Sequence, residues 1–364
     1  MINIAAPVID SEERRAVNEV IESGMLAQGP KVAELEKNWA EYCGVKHALA
    51  VNSGTAAIHC ALYAAGVKEG DEVITTPYSF IATINPILML GARPVLVDID
   101  EETFNIDVSK IEAAITEKTK AIVPVDLYGQ PCDWAELQEI AKKHDLKIIE
   151  DACQAIGAEY KGIKAGALGD FGCFSLYATK NIMCGEGGVV TTNSDEAAAA
   201  IRSFRQHGMV APYEYADLGY NYRMSDLHGA IAVEQLKKIE EFTKKRQENA
   251  RKLNDALAGV VGIKTPTISD NRNHVYHQYT ILLDKGMQRD QFIASLRDKG
   301  VGAGIYYPKP LHIYPHIAKL GYKVGDFPVA EDLAARVVSL PVHPKVTDED
   351  IEVIAAAVKE SING

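Results

Sequence analysis

The chain has 364 residues, 47% of them hydrophobic and 24% charged, which is enough for one large core and a second, smaller one. Its formal net charge of −12 argues against nucleic acid as a partner, although a small phosphorylated ligand would need only a few local donors. No apolar run approaches the roughly 20 residues of a membrane span, no basic stretch leads into an apolar one at the N-terminus, and the six cysteines form no CxxC pair, so we expect a cytoplasmic protein with reduced thiols and no membrane partner.

Helix and strand signals alternate over roughly the first 200 residues. SEERRAVNEVIES and GPKVAELEKNWAEYCG carry helical periodicity, the second closed by Gly44. HALAVNS, the helix GTAAIHCALYAAG, DEVITTP, RPVLVDID, KAIVPVD, the helix DWAELQEIAKKHD, LKIIED and GGVVTTN follow. Short β-branched runs separated by helices predict a mostly parallel sheet covered on both faces. From Ser225 a helical pattern continues through GAIAVEQLKKIEEFTKKRQENARKLNDALAG, too long for one ordinary helix, so a break is expected where the first domain ends. We place a large domain at 1–240 and a small α/β domain at 241–364, the latter built from YTILLD, RDQFIASLRDKG and DEDIEVIAAAVKES.

Four places combine into chemistry, each where a loop leaves a strand or enters a helix. Asn52-Ser53-Gly54-Thr55 opens an alanine-rich helix, where free N–H groups favour a phosphate and Gly54 permits close approach; a plain Ser N-cap is the structural counterpart. Asp151 ends a buried strand, where a carboxylate needs a cationic partner such as a protonated pyridine nitrogen, unless it merely caps the next turn. Phe80 follows another strand and could stack on a flat ring or simply pack. Lys180 stands five residues after Ser175 and just before Gly185-Glu186-Gly187-Gly188, and a neutral lysine amine condenses with aldehydes. Pyridoxal phosphate has an aldehyde, a phosphate, a flat ring and a basic ring nitrogen, and so answers all four; no metal is called for. The glycine turn is expected to let the backbone pass close to that cofactor.

With these motifs in order, the sequence resembles the DegT/DnrJ/EryC1/StrS sugar aminotransferases, which are fold-type-I, aspartate aminotransferase-like enzymes dependent on pyridoxal 5'-phosphate. The resemblance runs from GMLAQGPKVAELE through VNSGTAAIHCAL, IIEDACQAIGAEYKG, GDFGCFSLYATKNIMCGEGG and LGYNYRMSDLHGAI to YYPKPLH and LPVHP. It implies an α/β fold with a seven-stranded sheet between helices, plus the small C-terminal domain. It implies that Lys180 holds the cofactor and then moves the proton, while Asp151 pairs with the ring nitrogen. Gln154 would bond the phenolic oxygen and Phe80 would stack; Gly54, Thr55 and Ser175 would hold the phosphate. Asn221 would reach the phosphate of a neighbouring subunit, making a homodimer with shared sites. Arg223, Tyr307 and His312 would contact the sugar nucleotide. A side branch of the family has histidine at the lysine position and dehydrates; Lys180 implies transamination, with L-glutamate as donor.

Four residues, Asn181 to Cys184, separate Lys180 from the glycine turn. Members acting at C4 of a nucleotide sugar look similar here, with Glu in the turn, whereas members acting at C3 have one more residue and Asp. The resemblance therefore favours a 4-keto sugar acceptor, with C3 keto sugars, keto-cyclitols and a non-catalytic regulatory role as alternatives. Arg202 and Arg205, spaced from Asp195 and Glu196 on one helix, read as a solvated face. Trp39 and Trp134 read as packing residues, and His316 and His343 as turn residues beside prolines.

Overall fold

The computed structural model of the chain describes residues 1–363. Helix α1 (Ser11–Ser23) starts at a capping box, in which the Asp10 side chain and Glu13 satisfy each other's backbone N–H groups, and it stops at Gly24 with φ 72°. Helix α2 (Pro30–Cys43) has proline in its first turn and ends, as expected, at Gly44 with φ 70°.

Seven strands form the central sheet: β1 (His47–Val51), β2 (Glu72–Thr75), β3 (Arg93–Leu96), β4 (Thr119–Ile122), β5 (Lys147–Asp151), β6 (Phe171–Ser175) and β7 (Gly188–Thr192). Their spatial order is β1-β7-β6-β5-β4-β2-β3. Only β7 runs against its neighbours β1 and β6; all other pairs are parallel. Successive residues face opposite sides. Leu49, Val73, Ile149 and Val190 pack with helices α3 (Gly54–Ala64) and, further along, Asp195–Phe204. Ile74, Ile122 and Ile148 pack under helix α4 (Trp134–His144). Ala48, Ala50, Phe174 and Val189 meet α2 and the helix Asp226–Leu236. Both faces are buried, which is why these strands read as continuous apolar runs instead of alternating ones.

The sequence pattern did not mark β6, whose Gly172 and Cys173 weaken any strand signal. Gly172 is required there, since a Cβ would lie 2.4 Å from the Gly166 Cα and 2.5 Å from the Thr191 hydroxyl. Trp39 and Trp134 are fully enclosed packing residues. Arg205 corrects the expected solvated face: it is buried, 2.5 Å from Glu36 and 2.7 Å from the Ala50 carbonyl, while Arg202 stays exposed. His343 is also buried, its Nε2 bonded to the Asn3 carbonyl at 3.0 Å.

The long helical pattern does break, at Lys237-Lys238, between Asp226–Leu236 and Ile239–Leu257. In the second of these helices Ile239 and Phe242 belong to the core beneath the large sheet, whereas Ala250, Leu253 and Leu257 belong to a second core. That second core packs the three-stranded antiparallel sheet of Ile263–Lys264, Tyr279–Leu283 and Val337–Leu340 against Arg289–Asp298 and Asp348–Asn363. The N-terminal Ile2 bridges to Val301, so the chain's beginning lies on this smaller unit. Among the described residues no helix is long and apolar enough to cross a membrane.

Candidate active site

The C-terminal ends of β1, β5 and β6 open into a cavity of about 440 Å³. Its walls include Gly54, Thr55, Phe80, Asp151, Gln154, Ser175, Lys180 and Tyr307, so eight of the eleven expected site residues converge there. A larger and more open groove, about 930 Å³, lies between Gln138, Lys147, Asp170 and Ser194 at the opposite ends of the strands and contains none of them.

Helix α3 begins at Ser53, whose hydroxyl accepts from the Ala56 N–H at 3.1 Å while its carbonyl accepts from Ala57. The N–H groups of Gly54 and Thr55 have no protein acceptor among the described residues, and they sit at the positive end of the helix. A Cβ on Gly54 would lie 2.8 Å from the Ser175 Cβ and 3.0 Å from the Cys153 sulfur, so glycine lets this turn settle onto β6. In the glycine turn after Lys180, Glu186 lines the cavity wall. A Cβ on Gly188 would fall 2.3 Å from the Ser53 carbonyl oxygen, so the close approach it permits is to this same loop of the protein.

Asp151 ends β5, nearly buried. Its Oδ2 accepts from the Thr83 hydroxyl at 2.7 Å and its Oδ1 from the Cys153 N–H at 3.2 Å. Thr83 has one proton, and a carboxylate can only accept it, so the 2.8 Å contact between Ser79 and Thr83 is donated by Ser79. No ion pair reaches Asp151 among the described residues. Gln154 is held by the Tyr128 N–H on its Oε1 (2.9 Å) and donates from Nε2 to the Tyr307 hydroxyl (3.1 Å). Phe80, 55% exposed, stands at the mouth with its ring 6.0 Å from that of Tyr307.

Lys180 projects into the same space. Burial pushes its amine below the ordinary lysine value, and the nearby Cys153 and Asp151 oppose the shift only in part. A larger neutral fraction follows, the form that acts as a nucleophile.

Behind Asp151 lie two buried acids. Asp126 Oδ1 accepts from the Cys132 N–H and the Trp134 indole, and Glu150 Oε2 accepts from the Gly166 N–H. The remaining oxygens, Asp126 Oδ2 and Glu150 Oε1, have no donor. A carboxyl that keeps its proton would supply a donor that two buried carboxylates lack. Burial raises both carboxyls, Asp126 to about 6 and Glu150 well above its usual range.

Three expected residues lie outside the cavity. Asn221 is exposed; its carbonyl accepts from Asn52 Nδ2 at 3.2 Å, and the next residues continue alongside β1, with Arg223 paired to Val51. His312 does not reach the cavity. It is fully enclosed, bonded to Glu331 at 2.9 Å and set edge-on to Phe327, so packing accounts for it. Conversely, Thr83, Cys153, Tyr177, Glu186, His277, Gln278 and Tyr306 line the walls without having been singled out for the site, apart from Glu186 in its turn. His277 carries no local signal in the sequence; only the fold brings it to Lys180.

The sequence model of the DegT/DnrJ/EryC1/StrS aminotransferase family matches residues 7–359. GDP-perosamine synthase of Caulobacter vibrioides is 40% identical, with 99% of this chain and 98% of that protein aligned. A pleiotropic regulatory protein of Geobacillus stearothermophilus is 44% identical over 96% of this chain and 94% of its own length. The structure of DesV from S. venezuelae, solved in complex with a ketimine intermediate, superposes with a TM-score of 0.94 at 34% identity, covering 97% of this chain and 95% of that one. The chain belongs to the DegT/DnrJ/EryC1/StrS aminotransferase family. It is an enzyme of the sugar aminotransferase class, and the cofactor of that class is pyridoxal 5'-phosphate. The site fits that group. Among the described residues the Gly54 and Thr55 N–H groups have no acceptor and Asp151 has no ion pair, a donor set and a carboxylate of the kind that a phosphate and a protonated ring nitrogen would satisfy.

Proposed function

We propose that the enzyme moves an amino group from L-glutamate to the 4-keto carbon of a nucleotide-linked hexose, as a homodimer whose products feed surface polysaccharide or natural-product glycans. The observation that carries this reading is the convergence, in one cavity, of the free α3 N-terminus, the Asp151 carboxylate and the Lys180 amine. Pyridoxal phosphate, when bound, supplies a ring that stores the electron pair released when a C–H bond beside nitrogen is broken.

The protein's own residues do the rest. Gly54, Thr55 and Ser175 bind the phosphate, and Asp151, steadied by Thr83 and Cys153, keeps a proton on the ring nitrogen. Gln154 orients the phenolic oxygen, and Phe80 covers one face of the ring. Lys180 takes the proton from the carbon on one side of the bridging nitrogen and returns it to the carbon on the other side; its lowered basicity suits both tasks. Asn221 and Arg223, which project from the β1 edge outside the cavity, serve the neighbouring subunit's phosphate and nucleotide, while Tyr307 meets the sugar. The four-residue spacer and Glu186 in the cavity wall support C4 over C3 or a keto-cyclitol. Retention of Lys180, Asp151 and the phosphate loop weighs against a purely regulatory role.

The test is to convert the enzyme with L-glutamate, desalt it and offer single acceptors: UDP-, dTDP- and GDP-4-keto sugars, a 3-keto sugar nucleotide and a keto-inositol. Return of the lysine-bound cofactor's absorption with a 4-keto sugar is the expected result. Return only with the 3-keto sugar or the inositol would overturn the C4 assignment.

A further inference from the structure

His277 crosses the cavity wall beside Lys180. Its Nδ1 lies 3.3 Å from Oδ1 of Asn181, the residue that follows Lys180. The other end of that amide is committed, because Asn181 Nδ2 donates to the Val275 carbonyl at 3.1 Å. The atom facing the imidazole is therefore oxygen, which only accepts, so the ring carries its proton on Nδ1 and Nε2 keeps a lone pair.

Nε2 has no protein partner among the described residues, yet it is not one of the sealed, unsatisfied atoms of the core. His277 lines the cavity, and with Nδ1 turned to Asn181, Nε2 is the ring nitrogen left to face it. The ring cannot answer by taking up a second proton. Burial first, then the charges of Lys180 and Arg246, hold it well below the ordinary histidine value. Arg246 is itself buried, bonded to the Tyr276 carbonyl at 3.0 Å, and no carboxylate reaches it among the described residues to offset its field. The outcome is a neutral imidazole in a single tautomer, presenting an acceptor next to the reacting amine.

We propose that His277 Nε2 accepts a hydrogen bond from a hydroxyl of the acceptor sugar close to the reacting carbonyl, and so sets the pose in which the sugar meets Lys180. Asn181 is the positioning residue that fixes the ring. The assignment rests on the proposed sugar acceptor. It is specific to the acceptor, because L-glutamate has no hydroxyl to offer.

The two half-reactions separate the roles. In the His277→Phe holoenzyme, kcat/KM for the keto sugar should fall by about 100-fold or more, since a site built around a substrate hydroxyl discriminates strongly. The L-glutamate half-reaction should stay within about threefold of wild type. His277→Gln, which keeps an acceptor near the Nε2 position, should recover a large part of the loss. An acceptor lacking the hydroxyl should be poor with wild type and no worse with His277→Phe. Independently of turnover, ¹⁵N imidazole NMR of the wild-type protein should show the Nδ1–H tautomer of His277. Equal slowing of both half-reactions, an unchanged sugar half-reaction, or an Nε2–H tautomer would each overturn the proposal. If wild type accepts no keto sugar after a normal glutamate half-reaction, the parent reading of the substrate fails, and the tautomer measurement still judges the ring.

Discussion

Thr83→Val removes a single hydroxyl and keeps the shape of the side chain. In the native protein that hydroxyl donates to Asp151 Oδ2 at 2.7 Å and is itself fed by Ser79 at 2.8 Å. Asp151 is 4% exposed, and among the described residues the hydrogen-bond donors to its carboxylate are the Thr83 hydroxyl and the Cys153 N–H. A hydrogen bond to a charged group contributes about 1.5–3 kcal/mol, and its loss from a buried oxygen is not recovered by bulk water. At about 1.4 kcal/mol per tenfold, cofactor affinity should weaken by roughly 10- to 150-fold where the bound ring keeps water from replacing the hydroxyl. Titration of the apoprotein with pyridoxal phosphate, followed by absorbance, gives the dissociation constant, and thermal melts of apo and loaded protein show how the loss divides between folding and binding. Thr83→Ser restores the donor and should lie within about threefold of wild type. An affinity for Thr83→Val within about twofold of wild type, with unchanged melts, would refute the reasoning that this hydroxyl holds the carboxylate in place.

Lys180→Arg keeps a positive charge but loses the neutral amine, so turnover should be abolished while the melt is preserved; measurable steady-state transamination would count against Lys180 as the proton carrier. Asp151→Asn should retain the fold and lose most activity, because an amide cannot hold a proton on the ring nitrogen, and near-normal kinetics at full cofactor occupancy would oppose that role. Gly54→Ala places a methyl 2.8 Å from the Ser175 Cβ, so we expect about 1–3 kcal/mol of strain and weaker cofactor binding, read by melts and titration. The Asp126–Glu150 pair should make stability depend on pH. Carboxyls raised by burial bind protons more tightly folded than unfolded, so stability falls as pH rises from the unfolded value near 4 through about 6 and beyond. Glu150→Gln, whose amide can donate to Asp126 without ionising, should melt higher than wild type at pH 8 and lose less between pH 5 and 8; an unchanged slope would rule out the retained proton.

The parts of this protein that could be read along the chain are those made by neighbours in sequence. Ser53-Gly54-Thr55 offers free N–H donors at a helix start because a cap, a missing side chain and a helix start are consecutive. Asp151 and Gln154 share one strand end, and Ser175 and Lys180 one turn, so their spacing already carried their relation. The alternation of strand and helix likewise implied a sheet covered on both sides. What could not be read depends on contacts made through space. Thr83 meets Asp151 across 68 residues, His277 meets Asn181 across 96, and Arg205 finds Glu36 across 169. His312, in the same YYPKPLH motif as Tyr307, turns into the core instead of the cavity. Local chemistry sets which residues can hold a phosphate or a ring; the fold decides which distant side chain supplies the missing donor, because hydrogen bonds and burial act over a few ångströms of space and take no account of separation along the chain.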